Sequence, residues 1–167
     1  MYEGTMYERS YGSKYDEPGK YARVADIAKL IRRDIKAAIA AGELPGRISD
    51  YRVRSESYSG GQSIRVRLLK PELYEVCKGI VPGSDDDGYG RFCGDPWCAE
   101  GGIHRDDPHA RYHYILSAEG RRVEEKLKEI HGAFNHDGSE PQVDYFDRRY
   151  WGGVEIERPS ELPALAG

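Results

Sequence analysis

The sequence contains no apolar run near the roughly 20 residues that a membrane-spanning helix requires, and no charged-then-apolar leader. Both absences point away from a helical anchor and set the expectation of a cytoplasmic protein without membrane contact. Cysteine is scarce: three in 167 residues do not make a disulfide framework, which fits a reducing compartment. Phenylalanine is scarce as well, 3 against 13 tyrosines. Tyrosine buries its ring while the hydroxyl stays wet, so it suits small cores, edges and contact surfaces. Apolar residues make up 38%, little for a fully compact chain, so polar tails or loops are expected beside a single hydrophobic core. Catalytic signatures are missing too. No G-x-S-x-G nucleophile motif occurs, and His136, Asp144, Tyr145 and Asp147 could form a reactive group only if folding gathered them. "SDDDG", at 84–88, lacks the alternating ligands and closing glutamate of a calcium loop and reads as a solvated turn.

What is present is an uneven distribution of charge. The net charge is −4, yet residues 21–70 hold 11 Lys and Arg against 5 Asp and Glu, a local +6. Residues 71–115 hold 4 against 9, a local −5. Such asymmetry bears on partners and steering, not on fold.

Two kinds of periodicity organise the chain. In "VADIAKLIRRDIKAAIAAGEL", Ile27, Leu30, Ile31, Ile35, Ala38 and Ile39 recur at helical spacing, and Gly42 marks the stop. Ser117 is placed to cap a second helix with the seam Val123, Leu127, Ile130 and Phe134; His131 and His136 near its end suit the helix dipole. Around "YSGG" the period falls to two. Tyr51, Val53, Ile64, Val66 and Leu68 share one side, and Arg52, Arg54, Arg65 and Arg67 the other, which predicts a β-hairpin with one wet face. The glycine pair is a turn and no phosphate loop, because neither a lysine nor a helix follows it. Val143, Tyr145, Val154 and Ile156 predict a second hairpin. The expected fold is α+β, two helices packed on one antiparallel sheet built from two hairpins, in the order α-β-β-loop-α-β-β. Residues 1–20 and 158–167 are expected as flexible tails, 21–157 as one domain, and 71–115 as a long irregular insertion.

The stretches "RVADIAKLIRRDIKAA", "YRVRSESYSGGQSIRVR" and "HDGSEPQVDYFDRRYWGGVEIE" resemble a small domain of the large polyvalent protein-associated series, found in phages, plasmids and conjugative elements. The likeness spans residues 21–69 and 118–157; the intervening Cys/His loop departs from the shorter members. The resemblance implies a mobile-element accessory protein in the host cytoplasm, in a counter-defence setting, and supplies no catalytic residues.

Two sets of residues carry chemistry. Cys93, Cys98, His104 and His109, separated by four, five and four residues, could close a tetrahedral zinc site and staple a loop poor in apolar residues. The alternative is local packing of Trp97 and Cys98 with the histidines on the surface; Cys77 reads as a small buried hydrophobe. The second set is a contact surface: the face of Arg52, Arg54, Arg65 and Arg67, with the aromatics Phe146, Tyr150 and Trp151. Directly opposed like charges cost stability, so the four arginines call for an acidic counterpart, either the 85–87 aspartates folding back or an external partner. The functional expectation is a non-catalytic phage or mobile-element protein that binds and blocks a host protein with an acidic surface. A nucleic-acid-binding module using the same arginines is the alternative.

Overall fold

The computed structural model describes residues 9–81, 91–139 and 147–161. In chain order these form β1 (Ser10–Tyr11), α1 (Val24–Ala40), β2 (Tyr51–Tyr58), β3 (Gly61–Leu68) and β4 (Tyr74–Val76). There follow β5 (Ile80–Val81), β6 (Arg91–Phe92), β7 (Tyr114–Leu116), α2 (Ala118–Gly132), β8 (His136–Asp137) and β9 (Val154–Ile156). The class is α+β. The chain divides into two compact units, residues 1–68 with 125–155 and residues 69–124 with 156–167, so the expected insertion falls in the second. No helix among the described residues is long and apolar enough to cross a membrane.

In the first unit the apolar stripe of α1 (Val24, Ile27, Ala28, Ile31, Ile35 and Ala38) is buried against β2 and β3. Each such isoleucine contributes about 2 kcal/mol through burial. Gly42, at φ +76°, ends the helix in the left-handed region, and the Gly42 and Glu43 N–H groups donate to the carbonyls of Ile39 and Ala38. β2 and β3 pair antiparallel from Tyr51↔Leu68 to Tyr58↔Gly61. Tyr51, Val53, Ile64, Val66 and Leu68 enter the core while the four arginines stay exposed, as the alternation requires.

The first strand of the expected second hairpin lies outside the described residues, and its second strand is placed beside β3. The Trp151 N–H donates to the Gln62 carbonyl, Ile64 N–H to Trp151 and Val66 N–H to Gly153, and the Ser63–Trp151 bridge is parallel. The third strand therefore runs alongside β3 in the order β2-β3-β9. Parallel pairing needs a long crossover, which the intervening chain supplies. A Cβ on Gly152 would lie 2.0 Å from the Ile64 carbonyl oxygen, so this close approach admits only glycine. Val143 and Tyr145 lie outside the described residues. Instead of one sheet, four small ones occur among the described residues.

Residues 9–20, part of the segment expected as a tail, are docked in the first unit. β1 pairs with β8, and the Gly12 and Lys14 N–H groups donate to the carbonyls of Asn135 and Ala133. In α2, Ser117 accepts the Gly120 N–H at 3.0 Å, the expected cap, and Val123, Leu127, Ile130 and the following Phe134 are buried. His131 is no cationic helix end. It is buried, its Nε2 lies 2.9 Å from the Ile64 carbonyl oxygen, and burial holds its pKa below the usual value.

The second unit turns the expected irregular loop into paired strands. β4 pairs with β7, and β5 with β6, both antiparallel. Its buried residues include Leu73, Cys77, Cys98, Val123 and Ile156, a small core for a unit of this size.

Candidate metal centre and arginine face

Three strand contacts assemble a cluster in the second unit. Pairing of β4 with β7 sets Cys77, just past β4, beside His113, just before β7, and the Cys77 N–H donates to the His113 carbonyl at 2.9 Å. Pairing of β5 with β6 returns Cys93 to the same place, its N–H donating to the Gly79 carbonyl at 3.1 Å. A parallel bridge between Cys98 and Arg111 delivers the third cysteine. The ligand atoms of Cys77, Cys93, Cys98 and His113 all lie within 4.8 Å of one another.

The geometry suits a tetrahedral thiolate-rich ion. Zn–S bonds of about 2.3 Å place two sulfurs of a tetrahedron about 3.8 Å apart. The Cys77 and Cys98 sulfurs are 3.8 Å apart. Both are almost fully buried, and Nε2 of His113 is buried without a hydrogen-bond partner, an arrangement that would be costly without a ligand. Backbone N–H groups aim at the sulfurs: that of Gly79 lies 3.3 Å from Cys77 Sγ. For Cys98, burial pushes the thiol up, but the Glu100 N–H, the His113 ring, the Gly101 N–H and Cys93 outweigh it and bring the pKa down to about 7. Burial pushes the Cys77 thiol up to about 12 without a metal, opposed by the Gly79 N–H. The two cysteine turns pack back to back. A Cβ on Gly101 would sit 2.7 Å from the Gly79 Cα, and Gly79 holds φ +84°.

This is a different ligand set from the one that spacing suggests. Cys93 and Cys98 belong to it, but His104 and His109 do not. His104 stacks on Trp97 with ring centroids 4.4 Å apart, and the His109 N–H donates to Asp107; both side chains are exposed. Cys77 and His113 stand in their place in the cluster, and Cys77 is buried as expected. The glycines two and three places after Cys77 and Cys98, which let amides turn toward sulfur, were the legible signal for this pair of turns.

In the first unit, Arg52 stands directly opposite Arg67 and Arg54 opposite Arg65. All four line a groove of about 470 Å³ on the wet side of the sheet, together with Glu56, Ser63, Val66 and residues 153–155. Among the described residues, Arg52, Arg54 and Arg65 form no salt bridge. The 85–87 aspartates lie outside the described residues. So does Phe146, while its two aromatic companions part ways. Tyr150 is 1% exposed and its hydroxyl donates to the His131 carbonyl, which makes it core and unavailable to a partner. Trp151 is half-buried, with the Arg148 guanidinium 5.2 Å from its ring centre.

Of the residues that folding could gather for catalysis, His136 and Asp147 meet at 3.0 Å, with Asp144 and Tyr145 outside the described residues. Nδ1 of His136 is buried and unpartnered, so no hydroxyl or thiol among the described residues is activated by it. No family model, no curated protein and no solved structure matches the chain, and the likeness to the polyvalent protein-associated domains rests on the quoted stretches alone.

Proposed function

We propose that this chain is a non-catalytic binding protein whose second unit is organised by a structural zinc ion and whose arginine face contacts an acidic partner protein. The observation that carries the metal is the convergence of four buried or half-buried ligand atoms within 4.8 Å. Three thiolates and one imidazole fill four positions and leave none open for water or substrate, which is the pattern of a structural site, not a catalytic one. Zinc would hold together a unit whose short strands bury few large side chains. The ligand set carries one net negative charge with the ion bound, and the sulfur-directed N–H groups offset it.

What supports the binding role is the cationic groove. In the mobile-element setting that the sequence resemblance implies, the acidic partner is a host protein. Metal analysis of full-length protein purified without chelator is expected to find about one zinc per chain. Cobalt substitution should give the intense absorption of thiolate–cobalt charge transfer. Cys77→Ser and His113→Ala should each lose the metal, whereas His104→Ala and His109→Ala should keep it. A metal-free protein, or loss of zinc in the His104 and His109 variants alone, would remove the reading.

A further inference from the structure

The groove has a charge pattern that specifies more than acidity, and we propose that it takes an extended segment of a partner protein with carboxylates at alternate positions and a basic residue at the next alternate position. This rests on the reading of the arginine face as the partner contact. The wet side of the β2–β3 ladder presents three successive rungs: Arg52 with Arg67, Arg54 with Arg65, and Glu56 with Ser63. Their backbone attachment points stand about 5 Å apart across each rung. Successive rungs on one face are about 6.8 Å apart, two residues of strand rise.

One carboxylate fits between the two guanidinium groups of a rung and accepts charge-assisted hydrogen bonds from both. An extended peptide shows every second side chain on one face at the same repeat of about 6.8 Å, so alternate carboxylates match the first two rungs without strain. At the third rung the sign reverses. Glu56 would repel a third carboxylate and accept from a lysine or arginine there, giving acid-x-acid-x-base in one of the two chain directions. Glu155 lines the same groove and adds to that preference for mixed charge.

A nucleic acid fits these observations poorly. Its phosphates are uniformly negative and would meet Glu56 and Glu155. Among the described residues no aromatic ring lines the groove to stack an unpaired base.

The test uses zinc-loaded full-length protein and fluorescence anisotropy with labelled synthetic peptides. One carries the Glu-Ser-Glu-Ser-Lys pattern and one its reverse; a control of identical composition has the glutamates adjacent, and a short oligothymidylate is the fourth probe. The patterned peptide, in one direction, is expected to bind at least about tenfold more tightly than the control, since only it can engage two rungs. Arg54→Gln with Arg65→Gln should abolish that difference, with an unchanged melting curve confirming the fold. Glu56→Lys should shift preference toward a peptide ending in glutamate instead of lysine. Equal binding of patterned and control peptides would overturn the spacing inference and leave an acidic partner standing. Tighter binding of the oligothymidylate, or binding of no probe, would overturn the inference and the acidic-partner reading together.

Discussion

Gly101 and Gly79 illustrate how much of the candidate metal cluster depends on single residues that carry no side chain. The two cysteine turns approach so closely that a methyl group on Gly101 would lie 2.7 Å from the Gly79 Cα and 3.0 Å from its carbonyl oxygen. The clash is with backbone, so no rotamer can relieve it. The same turns aim N–H groups at the sulfurs, and moving them withdraws those donors from the thiolates. Loss of such outer partners lowers metal affinity by about 10–100-fold in sites of known energetics. Gly101→Ala is therefore expected to weaken zinc binding by about that factor, measured by competition with a chromogenic chelator. Gly153→Ala, which meets nothing within 4 Å and lies in the other unit, should leave affinity unchanged. Equal affinities for the two variants would show that the turns do not tune the site.

At the scale of elements, the docking of residues 9–20 matters most, because periodicity assigns that segment no structure. Its hold is polar. Arg149, almost fully buried, donates to the Tyr15 carbonyl at 2.7 Å and to the Phe134 carbonyl at 2.9 Å, and its guanidinium lies 3.7 Å from the Tyr15 ring centre. Lys14 pairs with Asp34 at 2.6 Å, and Arg33 with Glu17. Both pairs are partly exposed and add little by themselves. Arg149 is different, since removing its partners leaves a buried cation short of acceptors, at a cost of about 2 kcal/mol or more. Deleting residues 1–20 is expected to lower the stability of the first unit by that order, read from urea unfolding of the α1 helical signal. Gly12→Ala should act in the same direction, because its Cβ would fall 2.3 Å from the Gly132 carbonyl oxygen. A truncated chain as stable as the whole would show that the segment rests on the unit without supporting it.

Across the whole molecule, the two units differ in what stabilises them. The first buries Ile27, Ile31, Ile35, Ile64, Leu68, Leu127 and Phe134 completely or nearly so, enough to sustain a hydrophobic core. The second has few large buried side chains, and among its most buried groups are two cysteine sulfurs. Stability is thus expected to be local, with metal removal felt in one unit. Under chelation, amide hydrogen exchange should accelerate across β4, β7 and the Cys93–Arg111 stretch, while α1 and the β2–β3 hairpin keep their protection. Uniform acceleration through both units would mean that the cluster supports the first core as well.

The sequence by itself determined the features that depend on near neighbours. Helical spacing of isoleucines placed α1, Ser117 placed the start of α2, and alternation around the Ser59–Gly60 turn placed β2 and β3 with four arginines on the wet side. Each of these follows from backbone geometry within a few residues, so the pattern and the structure coincide. The tertiary structure alone decided what depends on pairing between distant segments. The third strand joined β3 in parallel, a direction that no local period encodes. Tyr150 became core because its hydroxyl reached a carbonyl of α2. Cys77 and His113 became candidate ligands because β4 pairs with β7 across more than thirty residues, whereas spacing within one loop favoured the nearer His104 and His109. A metal site is set by distance in space, and loop spacing reports that distance only when the loop itself makes the site.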